Sequence, residues 1–266
     1  MKSTKEHMVN TNKLQIFQFP CRDDNYGIIL SDKETGTVIS IDAPELEAIE
    51  DVLESKNLKL SHILTTHHHG DHVAGNERLK ASSGCSIIGP VEEKSKIPGI
   101  DKAVGHGDAI DINGHRIEVI GTPGHTLGQI AYYFPDQATV FCADALFALG
   151  CGRIFEGTPE MMFTALARLA ELPDETKVYA GHEYTLANAK FAVTVDPENQ
   201  ALTERAKDIE HLRDAGKPTL PTTIALEKQT NPFLRAHDPK IRQHLNMEHA
   251  SDLEVFTEIR TRKDRF

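Results

Sequence analysis

Thr65-Thr66-His67-His68-His69-Gly70-Asp71-His72 is the stretch from which the rest of the chain can be read. It follows directly on Ser61–Thr65, a short apolar run rich in strand-forming residues, and a helix is expected after it. Its imidazoles and carboxylate therefore gather at one edge of a sheet. Ligands of this kind suit zinc, iron(II) or manganese, whereas a structural zinc site would normally include thiolates. The four cysteines, Cys21, Cys85, Cys142 and Cys151, form no CxxC pair and lie too far along the chain to complete the cluster. They read as reduced, buried small residues. Within a sharp turn, His67 and His69 can point to one side, which leaves Asp71 and His72 to face a second ion.

Upstream, residues 13–19, residues 25–30 and Thr37–Ile41 read as strands. Pro44 then opens a helix, ELEAIEDVLES, with Leu46, Ile49, Val52 and Leu53 at helical spacing. Together with Ser61–Thr65 this makes a βαβ unit. Downstream, Ala109–Ile112 and His115–Ile120 flank Asn113-Gly114, a strong hairpin signal. Gln129–Phe134 and Thr139–Cys142 form a second pair, Met161–Leu172 an amphipathic helix, and Thr176–Ala180 a strand leading into Gly181-His182. Beyond residue 183 no strand is expected. Thr185–Val195, Glu198–Ala215, Pro239–Asn246 and Leu253–Arg262 all read as helices. The spacing predicts an N-terminal tail over 1–12, a main domain over 13–183 and a smaller all-α domain over 184–266.

Three of these strand exits carry a ligand-type residue among small neighbours. His125 sits in Gly121-Thr122-Pro123-Gly124-His125-Thr126, Asp144 follows the strand ending at Cys142, and His182 follows Ala180. Taken alone, each has an ordinary reading: a lone histidine is usually hydrogen-bonded structure, and a lone aspartate after a strand usually a turn or cap. Seven such residues at strand exits are a different matter. They predict a catalytic centre, with Asp71 and Asp144 as its carboxylates and one position left open for water.

Composition narrows the class further. The 266 residues carry 29 basic and 40 acidic side chains, a net charge of −11, which excludes nucleic acid as the main partner. No apolar run reaches the length of a membrane span, and MKSTKEHMVNTN lacks the apolar stretch of a secretory signal. A cytoplasmic monomer is expected.

THxHxDH, then GTPGHT, an aspartate after a strand, and GHEY resemble the metallo-β-lactamase superfamily. The resemblance implies an α/β fold, an αββα four-layer sandwich, with a dinuclear site at one edge. His67, His69 and His125 would bind one ion, Asp71, His72 and His182 the other, and Asp144 would bridge them. His68, inside the motif, is not expected to ligate.

Gly150-Cys151-Gly152-Arg153-Ile154-Phe155-Glu156-Gly157-Thr158 is similar to a segment of the glyoxalase II family, the hydroxyacylglutathione hydrolases. Asn25-Tyr26, Gly181–Thr185, Asn188, Thr230–Arg235 and the terminal Arg260…Lys263-Asp264 resemble the same family. This implies hydrolysis of S-2-hydroxyacylglutathione thioesters by a hydroxide held between two divalent ions (zinc, iron or manganese), the second step of methylglyoxal detoxification. It also places the glutathione thioester against Arg153, Phe155, Tyr184, Arg260 and Lys263. A carboxylate-bearing substrate on an acidic protein needs such a local basic patch. The rival within the superfamily is a glutathione persulfide dioxygenase with one iron, which needs only two histidines and one aspartate.

Overall fold

The computed structural model describes residues 14–266. The expected tail over 1–12 lies outside the described residues.

The first sheet runs β1 (Gln15–Cys21), β2 (Asn25–Asp32), β3 (Thr37–Ile41), β4 (His62–Leu64), β5 (Ser86–Pro90) and β6 (Lys102–Val104), neighbours in that order. Three helices belong to this half: α1 (Leu46–Ser55), α2 (Gly70–Val73) and α3 (Asn76–Ser83). The second half contributes β7 (Ala109–Ile112), β8 (His115–Gly121), β9 (Ile130–Phe134), β10 (Thr139–Ala143), the hairpin β11 (Leu146–Phe147) and β12 (Gly150–Cys151), α4 (Pro159–Ala170) and β13 (Lys177–Ala180). The chain ends with α5 (Thr185–Val195), α6 (Gln200–Asp214), β14 (Thr222–Thr223), α7 (Ile224–Thr230), α8 (Pro239–Leu245) and α9 (Asp252–Arg265). The second sheet has the order β14-β13-β10-β9-β8-β7.

Side chains alternate along each strand, and that alternation builds the layers. Ile28, Leu30, Ile39, Ile41, Leu64 and Ile88 face Ile117, Val119, Ile130, Tyr132, Phe134, Phe141 and Tyr179 between the two sheets. Their neighbours Ile29, Val38, Ile63 and Ile87 turn the other way, onto the face that α1 and α3 cover with Leu46, Ile49 and Leu79. On the far side Ala131, Tyr133, Val140 and Val178 pack with Leu166 and Leu169 of α4 and with Val255, Phe256 and Ile259 of α9. The result is helix, sheet, sheet, helix, the expected αββα sandwich.

The helix α4 starts two residues before the sequence expectation. Thr158 caps it by accepting from Met161 N, and Pro159 occupies the first turn, where its missing N–H costs nothing. Two other differences concern the end of the chain. A strand does occur after residue 183: β14 pairs with β13 over Lys177↔Thr223 and Val178↔Thr222. Two residues carry no readable period. The helix α7 also escaped the sequence reading, because seven residues are too few for an amphipathic stripe.

The sheets are tied together next to the histidine motif. Ile130 N donates to Thr66 O at 3.0 Å, and the buried Tyr132 hydroxyl donates to Thr65 O at 2.8 Å. Such a bond adds about 0.5–1.5 kcal/mol net, and its loss would orphan a buried carbonyl. It fixes the end of β4 against the opposite sheet.

Candidate metal centre

Four strand exits meet at one edge of the sandwich. In the first sheet this is the end of β4. In the second, β8 and β10 both lie antiparallel to β9, and β13 is parallel to β10, so all three finish on the same side. Each exit has its own device for turning a side chain inward. After β8, Gly124 has φ +142, and a Cβ there would meet Met162 Cβ at 2.8 Å, so only glycine fits this turn. At β10 the register with β13 shifts between Phe141 and Ala143, and Ala143 takes φ +41, which swings Asp144 out of the ladder. After β13, Gly181 leads to His182, which bridges back to Asn25 in the first sheet.

The predicted donors converge. His67 Nε2 and His125 Nε2 lie 3.2 and 3.0 Å from His69 Nδ1. On the other side, Asp71 Oδ2 is 3.6 Å from His72 Nε2 and 3.4 Å from His182 Nε2. Asp144 stands between the two groups: Oδ2 is 3.3 Å from His125 Nε2 and 3.4 Å from His182 Nε2, while Oδ1 is 3.6 Å from His72 Nε2. His68 faces away from them, with Nδ1 on Glu93 at 2.7 Å and Nε2 on Glu156 at 3.3 Å.

An oxygen behind each of four rings settles which nitrogen faces inward. Carbonyl Arg153 O, 2.8 Å from His125 Nδ1, can only accept, so Nδ1 holds the proton and Nε2 the lone pair. Asp42 plays this part for His72 Nδ1 and Asp24 for His182 Nδ1, each at 2.8 Å. Thr66 donates its hydroxyl to Asp42 at 2.8 Å and so accepts from His67 Nδ1 at 3.0 Å. His69 differs, because it presents Nδ1. Such outer partners fix the tautomer and the ring orientation of metal-binding histidines.

Inward lone pairs are a test of whether a cation fits. His72 Nε2 and Asp144 Oδ1 are buried without any hydrogen-bond partner. Burial, and then the neighbouring imidazoles, push His67 well below the ordinary histidine range, and burial also lowers His69 and His125. Three neutral rings facing one another cannot satisfy each other's lone pairs. On the other side, burial works against charge on His182, yet Asp144 and Asp71 hold its pKa up to about 10. Asp144 stays well below the usual carboxylate range, because the neighbouring His72 and His182 outweigh its burial. The electrostatics ask for positive charge at both spots, and nitrogen and oxygen donors without thiolate suit divalent zinc, iron or manganese.

A cavity of about 490 Å³ opens from these donors and is lined by Phe147, Cys151, Arg153, Phe155, Tyr184, Asn188, Arg260 and Lys263, among others. Phe155 is 63% exposed, with its ring edge against His69 and His125. Tyr184 stacks on His182, centroids 4.7 Å apart and planes 6° apart. Burial and nearby carboxylates raise its phenol to about 12. The Arg153 guanidinium is exposed and has no ion-pair partner among the described residues. Lys263 Nζ donates to Ala187 O at 3.0 Å. Burial, Arg260 and Arg153 together lower its pKa to about 8.

Arg260, expected to meet a substrate carboxylate, lines the same cavity. It is 5% exposed, and its guanidinium donates to Asp264 Oδ1 at 2.7 Å, to Cys151 O at 2.9 Å and to Gly152 O at 3.4 Å. Its guanidinium thus holds the 151–152 backbone as well as facing the cavity. Helical spacing carried the signal, since Val255, Phe256, Ile259 and Arg260 share the buried face of α9. Sequence reasoning also missed Asp24, Asp42 and Thr66. Asp42 could have been found, since it too follows a strand, β3.

Comparison with known proteins agrees with this geometry. Residues 35–182 match the family model for the metallo-β-lactamase superfamily, and residues 183–266 match the one for the hydroxyacylglutathione hydrolase C-terminus. The chain is 60% identical over 253 residues to a hydroxyacylglutathione hydrolase of Rhizobium meliloti (strain 1021), covering 95% of this chain and 99% of that one. It is 56% identical to the Brucella anthropi protein of the same name over 96% of this chain and 98% of that one. Among solved structures, ETHE1 from Myxococcus xanthus superposes with a TM-score of 0.67 at 27% identity, over 93% of this chain and 90% of that one. The di-iron-bound form of TTHA1623 shares the fold, with a TM-score of 0.59 at 23% identity, over 83% of this chain and 100% of that one. The αββα layers, the donor sets at one sheet edge and the helical end that completes the cavity thus have one common explanation: this chain belongs to the hydroxyacylglutathione hydrolases of the metallo-β-lactamase superfamily.

Proposed function

We propose that the protein hydrolyses S-2-hydroxyacylglutathione thioesters, S-D-lactoylglutathione among them, to the free hydroxy acid and glutathione. One observation carries this reading: a single cavity joins both metal-donor sets to the cations Arg153 and Lys263. Glutathione bears two carboxylates, and the two cations reach the cavity from different parts of the chain, Arg153 after β12 and Lys263 on α9. Two divalent ions belong to the site. His67, His69 and His125 would hold one, Asp71, His72 and His182 the other, with Asp144 shared. When bound, they supply a water of lowered pKa and a Lewis-acidic partner for the thioester carbonyl.

The side chains explain why a thioester is the bond that breaks. The leaving thiolate has a pKa near that of a free thiol, about 8.5, and departs without a proton donor. Every imidazole and carboxylate lining the cavity belongs to the donor sets. Cys151 offers no nucleophile, since burial raises its thiol above the ordinary value. Arg153 and Lys263 orient the glutathione end, Phe155 supplies an apolar wall, and Tyr184 lines the cavity beside His182.

The division of labour falls near residue 183, in line with the extents of the two family models. Residues 13–183 would carry the ions, and 184–266 the helices that bind glutathione. Among the described residues no helix is long and apolar enough to cross a membrane. We place the protein in the cytoplasm, a reading supported by four buried, unpaired cysteines, and propose that it acts as a monomer. The test compares lactoylglutathione with its matched oxygen ester. The thioester should be cleaved at least about a hundredfold faster, because an alkoxide needs a proton and no imidazole or carboxylate outside the donor sets lines the cavity to give one. Equal rates, or an acyl group trapped on Cys151, would overturn the mechanism.

A further inference from the structure

Asp144 and Arg153 are joined by a short segment that no large sheet supports. Its hairpin, β11 and β12, consists of two residues on each side, paired only with each other. Leu149 within it has φ +58, a conformation that persists only where its surroundings impose it.

Those surroundings are side chains from the helical end of the chain. Asn231 Nδ2 donates to Phe147 O at 3.1 Å and to Gly150 O at 2.9 Å, closing the turn. Asn188 Nδ2 donates to Ala148 O at 3.1 Å, and Glu227 Oε2 accepts from Leu149 N at 2.9 Å. Arg260 takes the next two carbonyls, Cys151 O and Gly152 O. Glu227 is completely buried, and its other oxygen is held by Arg205 Nη2 and Thr222 Oγ1, both at 2.6 Å. Six backbone polar groups of residues 147–152 are therefore met by four side chains 40 or more positions further along the chain.

The segment is wired to the donors at both ends. Gly152 N donates to Ala145 O at 3.0 Å, which folds the chain around Asp144, and Arg153 O orients the His125 ring. A Cβ at Gly152 would run into the Asp144 carbonyl.

We propose that Asn188, Glu227, Asn231 and Arg260 are positioning residues of the metal centre, moulding residues 146–153 and through them setting Asp144 and His125. The helical region is then part of the metal site and not only a wall of the substrate cavity. This rests on Asp144 and His125 being ligands, as proposed above.

The experiment uses the full chain with Asn231→Ala and, as the milder change, Asn188→Ala. Zinc affinity is measured by competition with a chelator, and Tm is measured in zinc and in excess chelator. Loss of an outer partner of a metal site typically costs 10–100-fold in affinity. A fall of about that size is expected, with a smaller zinc-induced rise in Tm and a lower kcat at nearly constant KM. If the residues merely hold the fold, Tm drops equally with and without zinc, while affinity and the zinc-induced rise stay as in the parent. That outcome in both variants would overturn the proposal. Should Asn231→Ala fail to fold, Asn188→Ala decides alone. Asp144→Asn serves as the control: if it keeps full zinc affinity, the ligand assignment fails rather than the positioning role.

Discussion

Lys263 should make substrate binding depend on pH in a range where most lysines do not titrate. Burial, Arg260 and Arg153 lower its pKa from 10.5 to about 8 in the free protein. A substrate carboxylate beside Nζ would reverse that balance and draw the value back up. Below about pH 8 the ammonium is present before the substrate arrives; above it, binding must first recover the proton. With a pKa of about 8, only about a tenth of the chains carry the proton at pH 9, which sets an upper limit of about tenfold on the rise in KM. The side chain is half-buried, and solvent screening should bring this down to about three- to fivefold.

Contacts remote from the breaking bond act alike in the ground and transition states, so kcat should not follow this titration. Initial rates on lactoylglutathione at constant ionic strength, from about pH 7 to about pH 9.5, would show it. Lys263→Arg should flatten the profile, and Lys263→Met should raise KM at neutral pH and remove its pH dependence. Stability should move in the opposite sense. The unfolded chain binds this proton more readily than the folded one between the two pKa values, so the contribution of Lys263 to stability increases from about pH 8 to about pH 10.5. A flat KM in the parent protein, or an unchanged KM in Lys263→Met, would refute the reasoning.

Three other outcomes can be measured directly. Gly181→Ala places a Cβ 2.7 Å from Asp144 Oδ1 and 3.0 Å from His72 Cε1. A shift of that kind at a reacting centre should reduce kcat/KM about a hundredfold or more, with correctly folded protein by circular dichroism. Asp42→Asn removes the carboxylate that orients both His72 and Thr66 and should weaken metal retention about 10–100-fold, read as ions per chain after dialysis. Stripping the ions with a chelator should lower Tm by about 10 °C, since ligand held at about a thousand times its Kd adds about 4 kcal/mol.

The sequence showed the site more readily than the scaffold around it. His67, His69, Asp71 and His72 lie within six positions, and His125, Asp144 and His182 each follow a strand whose own period is visible. The first strands, the Asn113-Gly114 hairpin and the helical end were legible for the same reason: local pattern reflects burial on one face. What stayed hidden depends on distant partners. β5 and β6 pair in parallel through crossovers, and β14 is two residues long. Arg260 read as a free cation because it sits in a basic run, RTRKDR, whereas its turn of α9 faces the core. Asn188 and Asn231 were visible as family features, but their work on the 147–150 turn exists only once the chain has closed.

The way the donors are distributed has a consequence for how the protein acquires its ions. Only the His67–His72 turn is contiguous; His69 meets His125 across 56 positions, and Asp24 meets His182 across 158. Contacts of such long range form late, after the sheets have assembled. An ion offered to the nascent chain finds that turn but not His125, Asp144 or His182, so neither donor set is complete until the chain has folded. Maturation is then an encounter between a finished scaffold and whichever divalent ion the cell has to spare.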